Sequence, residues 1–418
     1  MPGRIGIIAE YNPFHEGHAY HISEVRRRFP DSDIVVYMSG DFVQRGEPAI
    51  ASKYYRAKRA IMGGADIVLS PPVFASVSSA GEFARYGITG LLGAGCEAVS
   101  FGCEDTDICE HVGEIKLITE YERSSEYNDR IRTCMSFGKT FPAAREEALK
   151  QAGILPDSFL EKIKKPNNLL AFEYIRALCE KDREKNIGLI PVERKGMGYH
   201  EDRFTPDAMV GKSDGSEFPS AEFIRNRIKA LEYREEDGRA KDVPAELADY
   251  LTKHRQVFAD DLSDMLYYRI AASDPCELSN IRDCDTETAN RIKNLRTQYE
   301  DFSQFAELVK TKDVTYTRIS RCFINILLDI RDNPAELPYM YALACDKEKR
   351  YILSDISDNE EVKILLTGKD EAALMEKGSV DVAASLKTDR LAQELYTRLA
   401  YRKGCDRLPG RFRDYIFV

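Results

Sequence analysis

Between residues 4 and 102 the chain alternates between two periods, and that alternation limits the fold more than any other feature. "RIGIIAEY" (4–11), "DIVVYMSG" (33–40), "DIVLSPP" (66–72) and "EAVSFG" (97–102) are short apolar runs of the kind that form buried strands. Between them "GHAYHISEVRRRF" (17–29), "KYYRAKRAIMGG" (53–64) and "SAGEFARYGITGLLGAG" (79–95) carry helical spacing. Short buried strands interleaved with amphipathic helices predict an α/β fold, a parallel sheet with helices on both faces. Ligands then bind beyond the C-terminal strand ends. That singles out the loops "EYNPFHEGH", "SGDFVQRGEP", "SPPVFAS" and "FGCED".

Farther along, residues 104–180 read as mainly helical, "NIGLIPVER" (186–194) as a strand and "SAEFIRNRIKALE" (220–232) as a helix. "YREEDGRAKDVPAE" (233–246) is charged, aperiodic and carries Gly and Pro, which marks a boundary. The expected division is 1–235 for a catalytic α/β domain and 245–418 for a mainly α-helical region, with "NPAELPYMYALACD" (333–346) restarting as an extended segment.

The net charge of −10 gives no overall electrostatic drive toward nucleic acid, so any RNA contact must use a local basic face. Ten cysteines lie scattered with no C-x-x-C pair, the usage of free thiols in a reducing compartment. "IGIIA" is too short for a signal peptide, and "CFINILLDI" (322–330) is interrupted by Asn325 and Asp329. A cytoplasmic protein without membrane contact is expected. The sequence carries no signature of oligomeric state.

"AEYNPFHEGHAYHI" (9–22) holds His15, His18 and His21. As metal ligands their spacing fails, because only adjacent pairs would share a helix face and no Cys or further His cluster completes a site. As packing, the reading suits His21 beside Ile22. As a phosphate loop, the order strand, Asn-Pro turn, H-x-G-H, helix is coherent. Gly17 lets a ligand approach the backbone. The helix start offers unpaired N–H groups and a positive dipole end. His15 and His18 can donate to phosphate oxygens that gain charge as pyrophosphate leaves.

In this context the stretch resembles the nucleotidyltransferase superfamily, whose members activate the α-phosphate of ATP. "SAEFIR" (220–225) resembles its second signature, in which Ser220 opens a helix and Arg225 follows one turn later. Without the first motif Ser220 reads as an N-cap and Arg225 as a solvated cation. Glu222 departs from the usual Thr, which puts a hydroxyl contact to phosphate in doubt. Taken in order, "IIAEYNPFHEGHAYHI", "MSGDFVQRGEPAI", "FGCE", "PNNLLAFEYIRAL", "ERKGMGYHE" and "SAEFIR" resemble the bacterial tRNA(Met) cytidine acetate ligase family, densely over about the first 230 residues.

That resemblance implies a Rossmann-like nucleotidyltransferase domain. It also implies a ligase that activates acetate as acetyl-adenylate and transfers the acetyl group to N4 of the wobble cytidine of elongator tRNA(Met). The implied ATP loop runs over Ile7, Ile8, Ala9, Glu10, Tyr11, Asn12, Pro13, Phe14, His15, Glu16, Gly17, His18, Ala19 and Tyr20, with His15, Gly17 and His18 as the catalytic elements. Gly102, Asn168, Arg194, Ser220 and Arg225 complete the implied ATP site, with Asn167 competing with Asn168, Lys195 with Arg194, and His200 as a further member. Mg²⁺ would bridge the phosphates. Gln44, Arg45 and Glu47 order a loop over acetate, receive the cytidine, or simply form a salt-bridged loop. The basic residues around aromatics at Lys312, Arg318 and Arg321, and at Arg411 and Arg413 in the tail, are the candidate tRNA contacts. A cofactor-biosynthesis adenylyltransferase, or a nucleotide-sensing RNA-binding protein without turnover, would use the same motifs.

Overall fold

The computed structural model describes residues 1–153, 157–194, 220–232, 256–331, 334, 336–357, 362–403 and 416–418. In chain order, β1 (Arg4–Ala9), α1 (Glu16–Arg28), β2 (Asp33–Met38), β3 (Phe42–Val43), β4 (Glu47–Pro48), α2 (Lys53–Met62), β5 (Ile67–Ser70), α3 (Val73–Ser76), α4 (Ala80–Gly93) and β6 (Ala98–Cys103) realise the predicted alternation. The short β3–β4 hairpin is an addition. Helices α5 (Val112–Glu122), α6 (Ser125–Ser136), α7 (Phe141–Ala152), α8 (Asp157–Lys162) and α9 (Pro166–Glu180) precede β7 (Gly188–Glu193), and α10 (Ala221–Glu232) follows.

β5, β2, β1, β6 and β7 are neighbours in that order and pair in parallel. All six residues of β2 are buried, because helices cover both faces. Alternate side chains go to opposite layers. Ile34, Val36 and Met38 pack with Ile22 and Val25 of α1 and with Ala57 and Ala60 of α2. Val35 and Tyr37 join Ala84 and Leu91 of α4 and Phe172 and Ile175 of α9. Helix caps are mostly local and legible, with Ser52, Ser79 and Ser124 accepting from N–H groups of their own first turns.

Beyond residue 256 come the helices Ser263–Ala272, Pro275–Ser279, Thr286–Leu295, Phe302–Val309 and Tyr316–Leu328. The chain then returns to the sheet. β8 (Tyr339–Cys345) runs antiparallel to β5, while β9 (Lys363–Leu365) and β10 (Ile416–Phe417) pair in parallel with β8. The helices Gly368–Lys377 and Val380–Arg402 complete the described C-terminal part. The 245–418 segment thus supplies three strands to the sheet of the 1–235 segment. One apolar core also runs from Val35 and Phe101 through to Phe305 and Phe323. The expected linker at 233–246 lies outside the described residues. Among the described residues no helix is long and apolar enough to cross a membrane.

Candidate active site

The β1–α1 loop is shaped by its own side chains. Tyr11 takes a positive φ of 50°, and His15, in extended backbone, caps α1. The Gly17 N–H donates to His15 Nδ1 at 3.0 Å, and the His15 N–H donates to His18 Nδ1 at 3.3 Å. The two imidazoles therefore act as reciprocal caps, their ring centroids 3.8 Å apart. A ring nitrogen that accepts carries no proton, so the remaining donor on each ring is Nε2–H. Burial, then the positive charge of Arg194 and Arg225, pulls His15 down to about 3. Burial, then His15, Arg194 and His21, pulls His18 well below the ordinary imidazole value. Both are neutral donors at physiological pH.

His21 also lines the cleft. Its Nε2 lies 2.7 Å from Ser100 Oγ, whose hydroxyl donates to the Ile190 carbonyl at 2.9 Å. The Ser100 oxygen is then the acceptor, and His21 ties α1 to the sheet, the packing role expected of it.

Around this loop is a cleft of about 400 Å³. Of the residues expected at the ATP site, Ile7, Ile8, Ala9, Glu10, Tyr11, Asn12, His15, Gly17, His18, Tyr20, Gly102, Arg194, Ser220 and Arg225 line it. Pro13, Phe14, Glu16, Ala19 and Asn168 are not in its wall. Phe14 is buried against Tyr11, ring centroids 5.0 Å apart. Asn168 is fully buried: its Oδ1 accepts from the Glu104 and Asp105 N–H groups at 2.9 and 3.1 Å, so it holds the β6–α5 loop instead of facing a ligand. Asn167 is the one in the wall. Lys195 and His200 lie outside the described residues.

Sequence reading missed how this wall is held. Glu104 accepts from Asn167 Nδ2 and, through Oε2, from the Asn168 N–H at 2.8 Å, so it caps the start of α9. Asn167 Oδ1 in turn accepts from Arg194 Nη1. Gly102 sits within β6, not in a turn. A Cβ there would meet Arg194 Cγ at 3.3 Å, so the missing side chain gives the arginine its room.

On the other side, Ser220 Oγ accepts from the Phe223 N–H at 3.1 Å and caps α10. Arg225 reaches back over the loop, donating to the Asn12 carbonyl at 2.7 Å and pairing with Glu47 at 3.3 Å. Glu222 pairs with Arg45 at 3.2 Å. A carboxylate in the Thr position thus binds the hairpin cation in place of a phosphate contact. Gln44 and Arg45 line the cleft, and the Gln44 N–H donates to Glu10 Oε1 at 2.6 Å. Beneath lies Arg56, fully buried, donating to the carbonyls of Glu10 (2.6 Å), Ser39 (3.0 Å), Gly40 and Ala51 (3.0 Å). It fastens the ends of β1 and β2 together.

Three arginines at the cleft suit phosphate. Of its carboxylates, Glu10 accepts the Gln44 N–H through Oε1, Glu222 pairs with Arg45 and Glu193 is exposed, and no group of three or more His, Cys, Asp or Glu among the described residues would hold a metal ion. These side chains do not make a Mg²⁺ site of their own.

The expected tRNA residues divide. Arg321 is buried in a 3.0 Å ion pair with Asp283, so it offers no cation to a nucleic-acid backbone. Arg318 pairs with Asp285 at 3.2 Å and stays partly exposed, and Lys312 is exposed. Arg411 and Arg413 lie outside the described residues.

With this geometry in place, comparison with known proteins is decisive. A family model described as HIGH Nucleotidyl Transferase matches residues 3–408. The tRNA(Met) cytidine acetate ligase of Ligilactobacillus salivarius is 31% identical over 86% of this chain and 89% of its own length. The chain belongs to this family. The Bacillus licheniformis tRNA(Met) cytidine acetate ligase is also 31% identical, over 77% of this chain and 75% of its own. Among solved structures, apo Thermotoga maritima TmcAL superposes with a TM-score of 0.84 at 27% identity, covering 99% of both chains. The same protein bound with α-thio ATP gives 0.79 at 26%, covering 97% of both. The family match includes the helical region after residue 256, which a cofactor adenylyltransferase would leave unexplained.

Proposed function

We propose that this chain is an ATP-dependent ligase that activates acetate as acetyl-adenylate. It then transfers the acetyl group to N4 of the wobble cytidine of elongator tRNA(Met). The observation that carries the first step is the reciprocal capping of His15 and His18 at the start of α1. It locks two neutral Nε2–H donors at a helix N-terminus, where an anion is favoured.

An acetate oxygen attacks the α-phosphorus, the bond to the bridging oxygen breaks, and pyrophosphate leaves with that electron pair. The imidazoles hydrogen-bond oxygens on which charge develops, and Arg194 and Arg225 supply fixed positive charge. Neutral imidazoles suit this task, since they stabilise by donation and lose no proton to the leaving group. Mg²⁺ enters this reading as an ion carried on the phosphates.

In the second step the amine attacks the acetyl carbonyl and AMP leaves. Acetate as the acid, and tRNA(Met) as the acceptor, are supported by the names of the relatives that match along most of the chain. The tRNA contacts are assigned to the helical region with Lys312 and Arg318 at its surface, a cytosolic task. Purified protein incubated with labelled acetate, ATP and tRNA tests the reading. Label should enter tRNA only when ATP is present and should appear as N4-acetylcytidine after digestion. Label in an AMP-linked small molecule with none in tRNA would contradict the acceptor.

A further inference from the structure

Transfer of an acyl group to an aromatic amine needs an acceptor for the amine proton, and among the described residues the cleft contains few groups able to serve. His15 and His18 have Nδ1 committed to backbone N–H groups and lie far below the range in which imidazole takes a proton near neutral pH. His21 Nε2 is engaged with Ser100. Burial raises Tyr11 and Tyr174 above the ordinary phenol value, so their hydroxyls stay protonated. Glu222 is bound to Arg45, and Glu193, which lines the cleft at the C-terminal end of β7, is exposed to solvent.

Glu10 differs. It ends β1 beside the phosphate loop, and Arg56 grips its carbonyl at 2.6 Å. The Gln44 N–H fixes its Oε1 at 2.6 Å, while Oε2 has no hydrogen-bond partner among the described residues. A half-buried carboxylate with one oxygen held and one open to the cleft is arranged to accept from a ligand N–H. An exocyclic amine of cytosine is the base edge that a carboxylate recognises.

We infer that Glu10 receives the exocyclic amine of the acceptor base through Oε2 and takes its proton during acyl transfer, an inference that rests on the acyl-adenylate reading above. The amine nitrogen forms the C–N bond at the acetyl carbon. The bond from that carbon to the AMP oxygen breaks, and its electron pair leaves with AMP. One N–H proton passes to Oε2, giving a carboxylic acid that later returns it to water. Arg45 and Glu47 of the hairpin, Arg225 of α10 and Tyr174 of α9 are the charged and titratable groups around this carboxylate. Burial raises it above the ordinary carboxylate value, against the opposing pull of Arg45, the Gln44 N–H and Arg225. A base of raised affinity takes the proton more readily.

Glu10→Gln and Glu10→Asp, both checked for folding by their thermal melts, test this in two assays on the full chain. One is acetate-dependent exchange of labelled pyrophosphate into ATP, and the other is acetyl transfer to tRNA. Glu10→Gln should lower transfer by about 100-fold or more, the scale of general base catalysis, while lowering exchange by less than about tenfold. Wild-type transfer should fall on the acid side of its pH profile, Glu10→Asp should keep that limb at a lower rate, and Glu10→Gln should lack it. Equal losses in both assays would place Glu10 with the nucleotide and overturn the inference, as would full transfer by Glu10→Gln. Absence of exchange in the wild-type chain would instead overturn the acyl-adenylate reading, and this inference with it.

Discussion

At the scale of single residues, some of the site was legible and some was not, for reasons of partner type. His15 and His18 were readable because a strand, a turn, H-x-G-H and a helix can only place them at a helix start. Arg56 was not, because "KYYRAKRA" offers several cations and its partners are backbone carbonyls, which leave no trace in the sequence. Asn167 and Asn168 are adjacent, and which one faces the cleft depends on the rotation of α9, set by Glu104. Arg56→Met should leave buried carbonyls without a donor. Loss of a buried charged partner of this kind costs on the order of 3–5 kcal/mol. Urea unfolding that shows a loss below about 1 kcal/mol would contradict the fastening role.

At the scale of elements, the long strands and helices followed from periodicity, while the β3–β4 hairpin did not, since two-residue strands are too short to show alternation. Yet the hairpin joins the parts. Gln44 holds Glu10, Arg45 meets Glu222, and Tyr396 of the Val380–Arg402 helix donates to Ala49 just after the hairpin at 3.0 Å. Gly46 turns it at φ 78°, where a Cβ would fall 2.3 Å from the Arg321 backbone nitrogen in the Tyr316–Leu328 helix. Neither backbone can yield cheaply. Gly46→Ala should cost about 2 kcal/mol or more from the left-handed conformation and the clash together. It should also slow acetyl transfer, because the hairpin can no longer keep its seat. A melting temperature and transfer rate equal to wild type would show that the hairpin is not clamped there.

For the whole molecule, composition marks 233–246 as an expected boundary, a segment outside the described residues, and the return of the chain to the sheet was not legible at all. Pairing of β8 with β5 across some 270 positions is a long-range event that local pattern cannot report. Asp389 fixes this return, accepting from Tyr339 and Tyr341 hydroxyls at 2.7 Å each and from the Val73 N–H at 2.7 Å. Burial raises its carboxyl to about 6. The folded value lies above the unfolded one near 3.9, so folding takes up a proton. The stability this contributes is fully present below about pH 4 and is lost as pH rises through about 6. Asp389→Asn should therefore gain on wild type between these limits by on the order of 1–2 kcal/mol, the side chain being only partly screened from water. Denaturant midpoints of both proteins at several pH values measure this, and parallel pH curves would contradict it.

The central claim is that the H-x-G-H turn of this chain activates a carboxylate on ATP. Pyrophosphate exchange measures that step alone. Wild-type protein with ATP, Mg²⁺ and labelled pyrophosphate should incorporate label into ATP only when acetate is added. His18→Ala should lose at least about 100-fold of that rate, the scale of removing one transition-state donor, while remaining folded. Exchange without acetate, or exchange that survives His18→Ala, would contradict the account.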